Sequence, residues 1–138
     1  DAYDALDRVN LMSYDHNYPQ ATFAKSAAEV EQLIEWGCPP GKIALGLPFY
    51  GRNAQRQSRT YRRLVAGRDD LAPETDVIDG FACNGPATIR AKARYALDQG
   101  LAGVMVWQVY QDAPGEESLL RVIAQTLDAE DVGQGESE

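Results

Sequence analysis

The chain is poor in the residues that build cross-links and metal centres, with two cysteines and one histidine among 138 residues. Cys38 and Cys83 stand in no C-x-x-C or Cys/His spacing that would hold zinc, and two are too few for a disulfide framework. His16 has no second histidine and no Cys/Asp cluster at ligand spacing, so no metal or other cofactor is expected. No apolar run approaches the roughly 20 residues of a membrane span. The sequence opens at Asp1 without an initiator methionine or a targeting segment, as expected of a chain whose upstream residues were removed, so sorting signals leave the compartment unread. Positive charge is scarce too: 13 Lys and Arg against 21 Asp and Glu give a net charge of -8, which excludes a surface built throughout for nucleic acid or anionic lipid. Neither nucleic acid nor membrane is expected as a partner.

What is present is the composition of one globular domain, 44% hydrophobic, 25% charged and 9% aromatic. A chain of this length can bury roughly two thirds of its unfolded surface. Charge is unevenly spread. Six arginines (Arg52, Arg56, Arg59, Arg62, Arg63 and Arg68) occur with no acid among them, which reads as a solvated loop because only Tyr61 is interleaved. Residues 128–138 carry five acids and no base, with Gly133, Gln134, Gly135 and Ser137, and read as an acidic, disordered tail behind a domain spanning 1–127.

Apolar runs and helical patterns alternate along the domain. Val9 to Tyr14 is a continuous apolar run, as in a strand covered on both faces. A helix is predicted from Ser26 to Trp36, opened by the capping-box pattern Ser26-x-x-Glu29, faced by Val30, Leu33 and Ile34, and stopped by Gly37, Pro39 and Pro40. The second strand runs from Ile43 to about Tyr50, with Pro48 near its end. Arg52 to Gly85 has no clean period and reads as an irregular insertion with one short helical turn, long enough to be a functional loop. Asn84-Gly85-Pro86 opens a second helix that lasts to about Gln99; a third strand spans Gly103 to Val109, and a third helix spans Glu116 to Asp128. This alternation implies an α/β fold with parallel strands and right-handed crossovers. Three such units do not close a barrel, and a three-stranded parallel sheet leaves two edges unpaired. On this ordering Cys38 and Cys83 lie at opposite ends of a strand, more than roughly 20 Å apart, so both are expected as free thiols.

In parallel α/β proteins ligand chemistry gathers at the carboxyl ends of strands. Here those ends carry Tyr14 and Asp15, Tyr50 and Arg52, and Trp107. Trp107 also fits a plain core position, and Tyr14 with Asp15 a simple strand-end turn. Placement at the mouth, and the chance of pairing Asp15 with Arg52, favour a site.

VNLMSYD (9–15), GKIALGLPFYGR (41–52) and GVMVWQVYQD (103–112), with NGPATIRAKARYAL (84–97) and SLL (118–120), together resemble the last three βα units of glycoside hydrolase family 18, the chitinase family. The resemblance implies a partial TIM (β/α)8 barrel of three parallel βα units, the sixth to eighth. It implies a parent enzyme acting on N-acetylglucosamine polymers by substrate-assisted retention, in which the sugar's acetamido oxygen is the nucleophile. By this resemblance Met12, Tyr14 and Asp15 match the sixth-strand motif, with Tyr14 donating to the acetamido carbonyl. Tyr50 and Arg52 match the seventh-strand Tyr-Gly-Arg, and Trp107 the floor on which the sugar stacks. The family's Asp-x-x-Asp-x-Asp-x-Glu run, whose glutamate is the general acid, is missing: after Asp1-x-x-Asp4 the required positions hold Leu6 and Arg8. No catalytic acid is therefore expected in this chain, and any groove should be shallow. The leading expectation is a sugar-contacting part of a chitinase-like enzyme whose partners are an N-acetylglucosamine oligosaccharide or chitin and the missing barrel half or a second copy. A non-catalytic chitin-oligosaccharide-binding protein and a small α/β oligomerisation or partner-binding protein are the alternatives. Secretion or a periplasmic location is implied by the resemblance alone.

Overall fold

The computed structural model describes residues 2–134, with side chains through residue 129. Strand β1 (Val9–Leu11), helix α1 (Phe23–Glu35) and strand β2 (Ile43–Pro48) form the first unit. Beyond β2 come β3 (Tyr50–Arg52), β4 (Ser58–Thr60), the short helix α2 (Tyr61–Val65), β5 (Val77–Ile78) and β6 (Phe81–Ala82). Helix α3 (Pro86–Asp98), strand β7 (Gly103–Trp107) and helix α4 (Leu119–Gln134) complete the chain.

The strands β1, β2 and β7 form a parallel sheet in that order, with Val9 opposite Ile43 and Leu45 opposite Val104. All six residues of the central strand are buried, which is why its sequence is a continuous apolar run. Val30, Leu45, Leu47, Ile89, Leu119 and Ile123 pack as one core between sheet and helices. Gly46 is required by close approach: a Cβ there would collide with the Leu11 carbonyl oxygen.

Helix α1 starts earlier than the capping-box pattern implies. Thr22 caps it, its side chain accepting from the Lys25 amide at 3.3 Å. Ser26 is instead buried and bonded to the Ser13 hydroxyl at 2.7 Å, and Glu29 is engaged by His16. At the other end α4 continues through Gln134, past Asp128 where a disordered tail was expected to begin; residues 135–138 lie outside the described residues. Its start is fixed by Asp112, whose carboxylate accepts from the amides of Ala113, Leu119 and Leu120 and from the Ser118 hydroxyl, at 2.7–3.1 Å.

The insertion is ordered rather than irregular. Its four short strands make an antiparallel sheet in the order β4-β3-β6-β5. Its first turn is closed by one side chain, since Asn53 Oδ1 accepts from the amides of Gln55 (3.1 Å) and Gln57 (2.8 Å). Arg56, Arg59, Arg62 and Arg63 are exposed, as expected of a solvated segment, but several of the six arginines are also engaged by partners. Arg68 pairs with Asp79 at 3.0 Å, Arg59 lies over the Phe81 ring at 4.4 Å, and Arg62 donates to the Asp112 carbonyl at 3.0 Å. Phe49, fully buried, is the single residue between the two sheets. Its amide donates to the Trp107 carbonyl at 2.8 Å, and its carbonyl accepts from the Tyr61 amide at 3.0 Å. Cys38 and Cys83 are both buried free thiols, as expected; burial pushes the Cys83 thiol up to about 12.

Candidate functional site

The carboxyl ends of β1, β2 and β7 open on one side of the parallel sheet, and the short strand β3 rises directly beside them. Asp15 follows β1 in the left-handed region, at φ 62°. One of its oxygens, Oδ1, takes both neighbours from β3: the Tyr50 hydroxyl donates at 2.5 Å and Arg52 Nη1 stands at 2.7 Å. The strand period explains this pairing, because Tyr50 and Arg52, two residues apart, leave β3 on the same face. Burial, then the hydrogen bond to Asp15 and the charge of Asp15, hold the Tyr50 phenol protonated far above the usual tyrosine range, against the opposing charge of Arg52. Tyr14 packs edge-on against Tyr50, centroids 6.2 Å apart, and its phenol is also raised, first by burial and then by Asp15. Both phenols are thus hydrogen-bond donors at any physiological pH.

Trp107, at the end of β7, is 54% exposed. Together with Asp15, Tyr50, Arg52, Ser58 and Gln111 it lines a shallow depression of about 170 Å³. The structure therefore brings together four of the sequence-predicted residues. Tyr14, half-buried, adjoins them through its edge-on contact with Tyr50 but does not line the depression, and Met12 stands exposed after β1 without lining it either. Ser58 and Gln111 were not legible as site residues. Ser58 enters only because β4 pairs with β3, and Gln111 because the chain turns back through the 3-10 turn Val109–Gln111 after β7. A larger cavity of about 200 Å³ lies against α2, walled by Tyr61, Val65, Leu71 and Ile78, and contains none of the strand-end residues. Converging polar groups, not volume, identify the site.

The loop joining β1 to α1 is held by buried polar side chains that no sequence pattern announces. Lys92, fully buried on α3, donates to the Ala21 carbonyl and to Asn84 Oδ1, each at 2.7 Å. Asn84 Nδ2 donates to the same Ala21 carbonyl at 2.9 Å. Burial lowers Lys92 to about 7, against the opposing pull of Asp76 and Glu29. Ala21 itself has φ 53°, a conformation costing a non-glycine residue on the order of 1–3 kcal/mol, so these bonds hold a strained position. His16 Nδ1 accepts from the Ala21 amide at 3.0 Å, which places its proton on Nε2, 2.7 Å from Glu29 Oε1. Gln20, buried at the centre of this loop, accepts from the Asp15 amide at 2.9 Å. Among the described residues no group of three or more His, Cys, Asp or Glu side chains could hold a metal ion.

Comparison with known proteins bears on this arrangement. The sequence model of "Glycosyl hydrolases family 18" matches residues 1–112. Chitinase 1 of Aphanocladium album is 28% identical over 94% of this chain and 41% of its own length. Among solved structures, the GH18 chitinase ChiB of Flavobacterium johnsoniae superposes with a TM-score of 0.82 at 32% identity, over 91% of this chain and 43% of that one. A mutant class V chitinase from Nicotiana tobaccum, solved in complex with NAG4, superposes with a TM-score of 0.67 at 25% identity, over 88% of this chain and 49% of that one. The chain thus spans less than half the length of these proteins.

Proposed function

Because the chain belongs to glycosyl hydrolases family 18, we propose that it forms the sixth to eighth βα units of a chitinase-like barrel and carries one side of a groove for N-acetylglucosamine oligomers. The observation that carries this reading is the Asp15–Tyr50–Arg52 cluster beside the exposed face of Trp107. An indole face offers an apolar platform for the axial C–H groups of a pyranose. The Tyr14 phenol, kept protonated by burial, donates to the acetamido carbonyl and turns its oxygen toward the anomeric carbon. Arg52 fixes the Asp15 carboxylate, which faces the positive charge that grows on the acetamido group as the glycosidic bond breaks.

The departing oxygen needs a proton, and the 138 residues lack the acidic run that would end in the donor glutamate. In substrate-assisted retention that glutamic acid protonates the leaving group while the acetamido oxygen closes on the anomeric carbon, and water then opens the resulting ring. Positioned acid help is worth about 10²- to 10⁴-fold. We therefore place turnover in an assembly with further βα units and sugar binding in this chain. The partner is the missing barrel half, or in its absence a second copy.

The test uses the chain alone. Fluorogenic chitobioside should not be cleaved above background, while chitotetraose should perturb the tryptophan spectra with an affinity no tighter than roughly millimolar. The response should fall at least several-fold in Trp107→Ala. Glycosidase activity that co-purifies and scales with the chain would overturn the division of labour, and an identical ligand response in the two proteins would overturn the role of Trp107.

A further inference from the structure

We infer that Gln20 is a positioning residue of this site, fixing the Asp15 carboxylate against Tyr50 and Arg52 without touching the sugar; the inference rests on the proposed sugar-binding reading. Gln20 lies five residues beyond Asp15 and is 2% exposed. Its amide joins three elements. Oε1 accepts from the backbone N–H of Asp15 at 2.9 Å, and Nε2 donates to the carbonyls of Ala82 at 3.2 Å and Tyr50 at 3.4 Å. Ala82 is the residue of β6 that stands opposite Arg52 of β3.

One side chain therefore binds the backbone of Asp15, the backbone of Tyr50 and the strand residue paired with Arg52. Asp15, Tyr50 and Arg52 are the residues whose side chains meet at Asp15 Oδ1, and Gln20 holds the first two directly and the third through its strand partner Ala82. The arrangement has a physical reason. Asp15 sits at φ 62° on a loop, whereas Tyr50 and Arg52 belong to a separate sheet, and no backbone ladder connects the two. Without a bridge their separation would follow the loop's own motion, and a charge-assisted bond weakens steeply with distance and angle. Gln20 supplies the bridge. Its orientation is fixed by the chemistry, since an amide N–H must meet its oxygen and carbonyls must meet its nitrogen. The far end of the same loop is anchored by Lys92 and Asn84 on the Ala21 carbonyl, so Gln20 presents its amide from a fixed base.

The experiment is a double-mutant cycle on the full chain with Gln20→Met, which keeps length and volume but removes the amide, and Asp15→Ala. Chitotetraose affinity is followed by tryptophan fluorescence, and the Tyr50 hydroxyl proton and Asp15 amide by NMR. Gln20→Met should weaken binding about tenfold, but should weaken it by less than twofold when Asp15 is already alanine. Equal losses in both backgrounds would mean that Gln20 acts through general stability and would overturn the inference. In the wild-type chain the Asp15 amide should exchange slowly and the Tyr50 hydroxyl should give a downfield resonance that disappears in Gln20→Met. A fast-exchanging Asp15 amide in the wild type would overturn the inference without any variant having to fold. If wild type binds no oligomer, the sugar reading falls, and the two NMR signals decide Gln20 by themselves: loss of the hydroxyl resonance in Gln20→Met supports it, and persistence refutes it.

Discussion

Replacing Lys92 by methionine should change not only how stable the chain is but how its stability depends on pH. Lys92 is fully buried and its ammonium gives up its proton near pH 7 in the folded chain, against 10.5 for an exposed lysine. Below pH 7 both the folded and the unfolded chain hold that proton, and burial of the charge is felt in full. Between 7 and 10.5 the unfolded chain still holds a proton that the folded chain has released. The unfolded state then binds more protons, so stability rises with pH, at roughly 1.4 kcal/mol per unit. Above about pH 9 the opposite trend sets in. The Cys83 thiol, raised to about 12, and the raised phenols of Tyr50 and Tyr61 stay protonated in the fold while the unfolded chain loses those protons. The clean window is therefore pH 7 to 9, and over it the Lys92 contribution amounts to about 2 kcal/mol, because at pH 7 half of the folded chains have already released the proton. Urea unfolding of wild type and Lys92→Met at matched protein concentration, in steps from pH 6 to 9, reads this out. Wild type should gain on the variant by about 2 kcal/mol across the window, because the variant has no proton to release there. Two curves that stay parallel within about 0.5 kcal/mol would refute the reasoning.

Other perturbations test separate parts of the fold. Asp112→Ala removes four hydrogen bonds at the start of α4 and leaves the buried Leu119 amide unsatisfied; it should cost about 3 kcal/mol, read as a lower urea midpoint at unchanged m. Gly46→Ala places a Cβ against the Leu11 carbonyl, so β1 should lose protection in amide exchange before β7 does. Light scattering at micromolar concentration should find the isolated chain as a dimer or larger species, since the parallel sheet ends at β1 on one side and β7 on the other; a monomer that unfolds cooperatively would count against this.

The three parallel strands and their helices were legible because each rests on a long signal. Ile43 to Pro48 is buried on both faces and reads as continuous apolar sequence, and Gly37 and Gly100 mark the ends of α1 and α3. Asp15, Tyr50, Arg52 and Trp107 were legible for a topological reason, as chemistry-bearing residues at carboxyl strand ends. The insertion was not. Strands of two or three residues are too short to show a period, and the Asn53 turn depends on one side chain folding back on the backbone. Nor could Gln20, Asn84 and Lys92 be found, because a polar residue that is buried and satisfied looks the same in sequence as one on the surface. The capping box at Ser26 failed for a related reason: tertiary partners, Ser13 and His16, took both of its side chains.

Phe49 sets how this architecture can tolerate changes in length. It is the one residue between β2 and β3, and it is bonded to the parallel sheet through its amide and to the insertion through its carbonyl. An added or deleted residue at this joint would turn Tyr50 and Arg52 to the opposite face, because side chains alternate along a strand. The exposed stretch around Gln55 and the segment between α2 and β5 lie beyond the joint, where each doubling of loop length costs only about 0.6 kcal/mol in closure entropy. Lengthening there could raise a new wall beside the Trp107 depression while the spacing of Asp15, Tyr50 and Arg52 stays as it is.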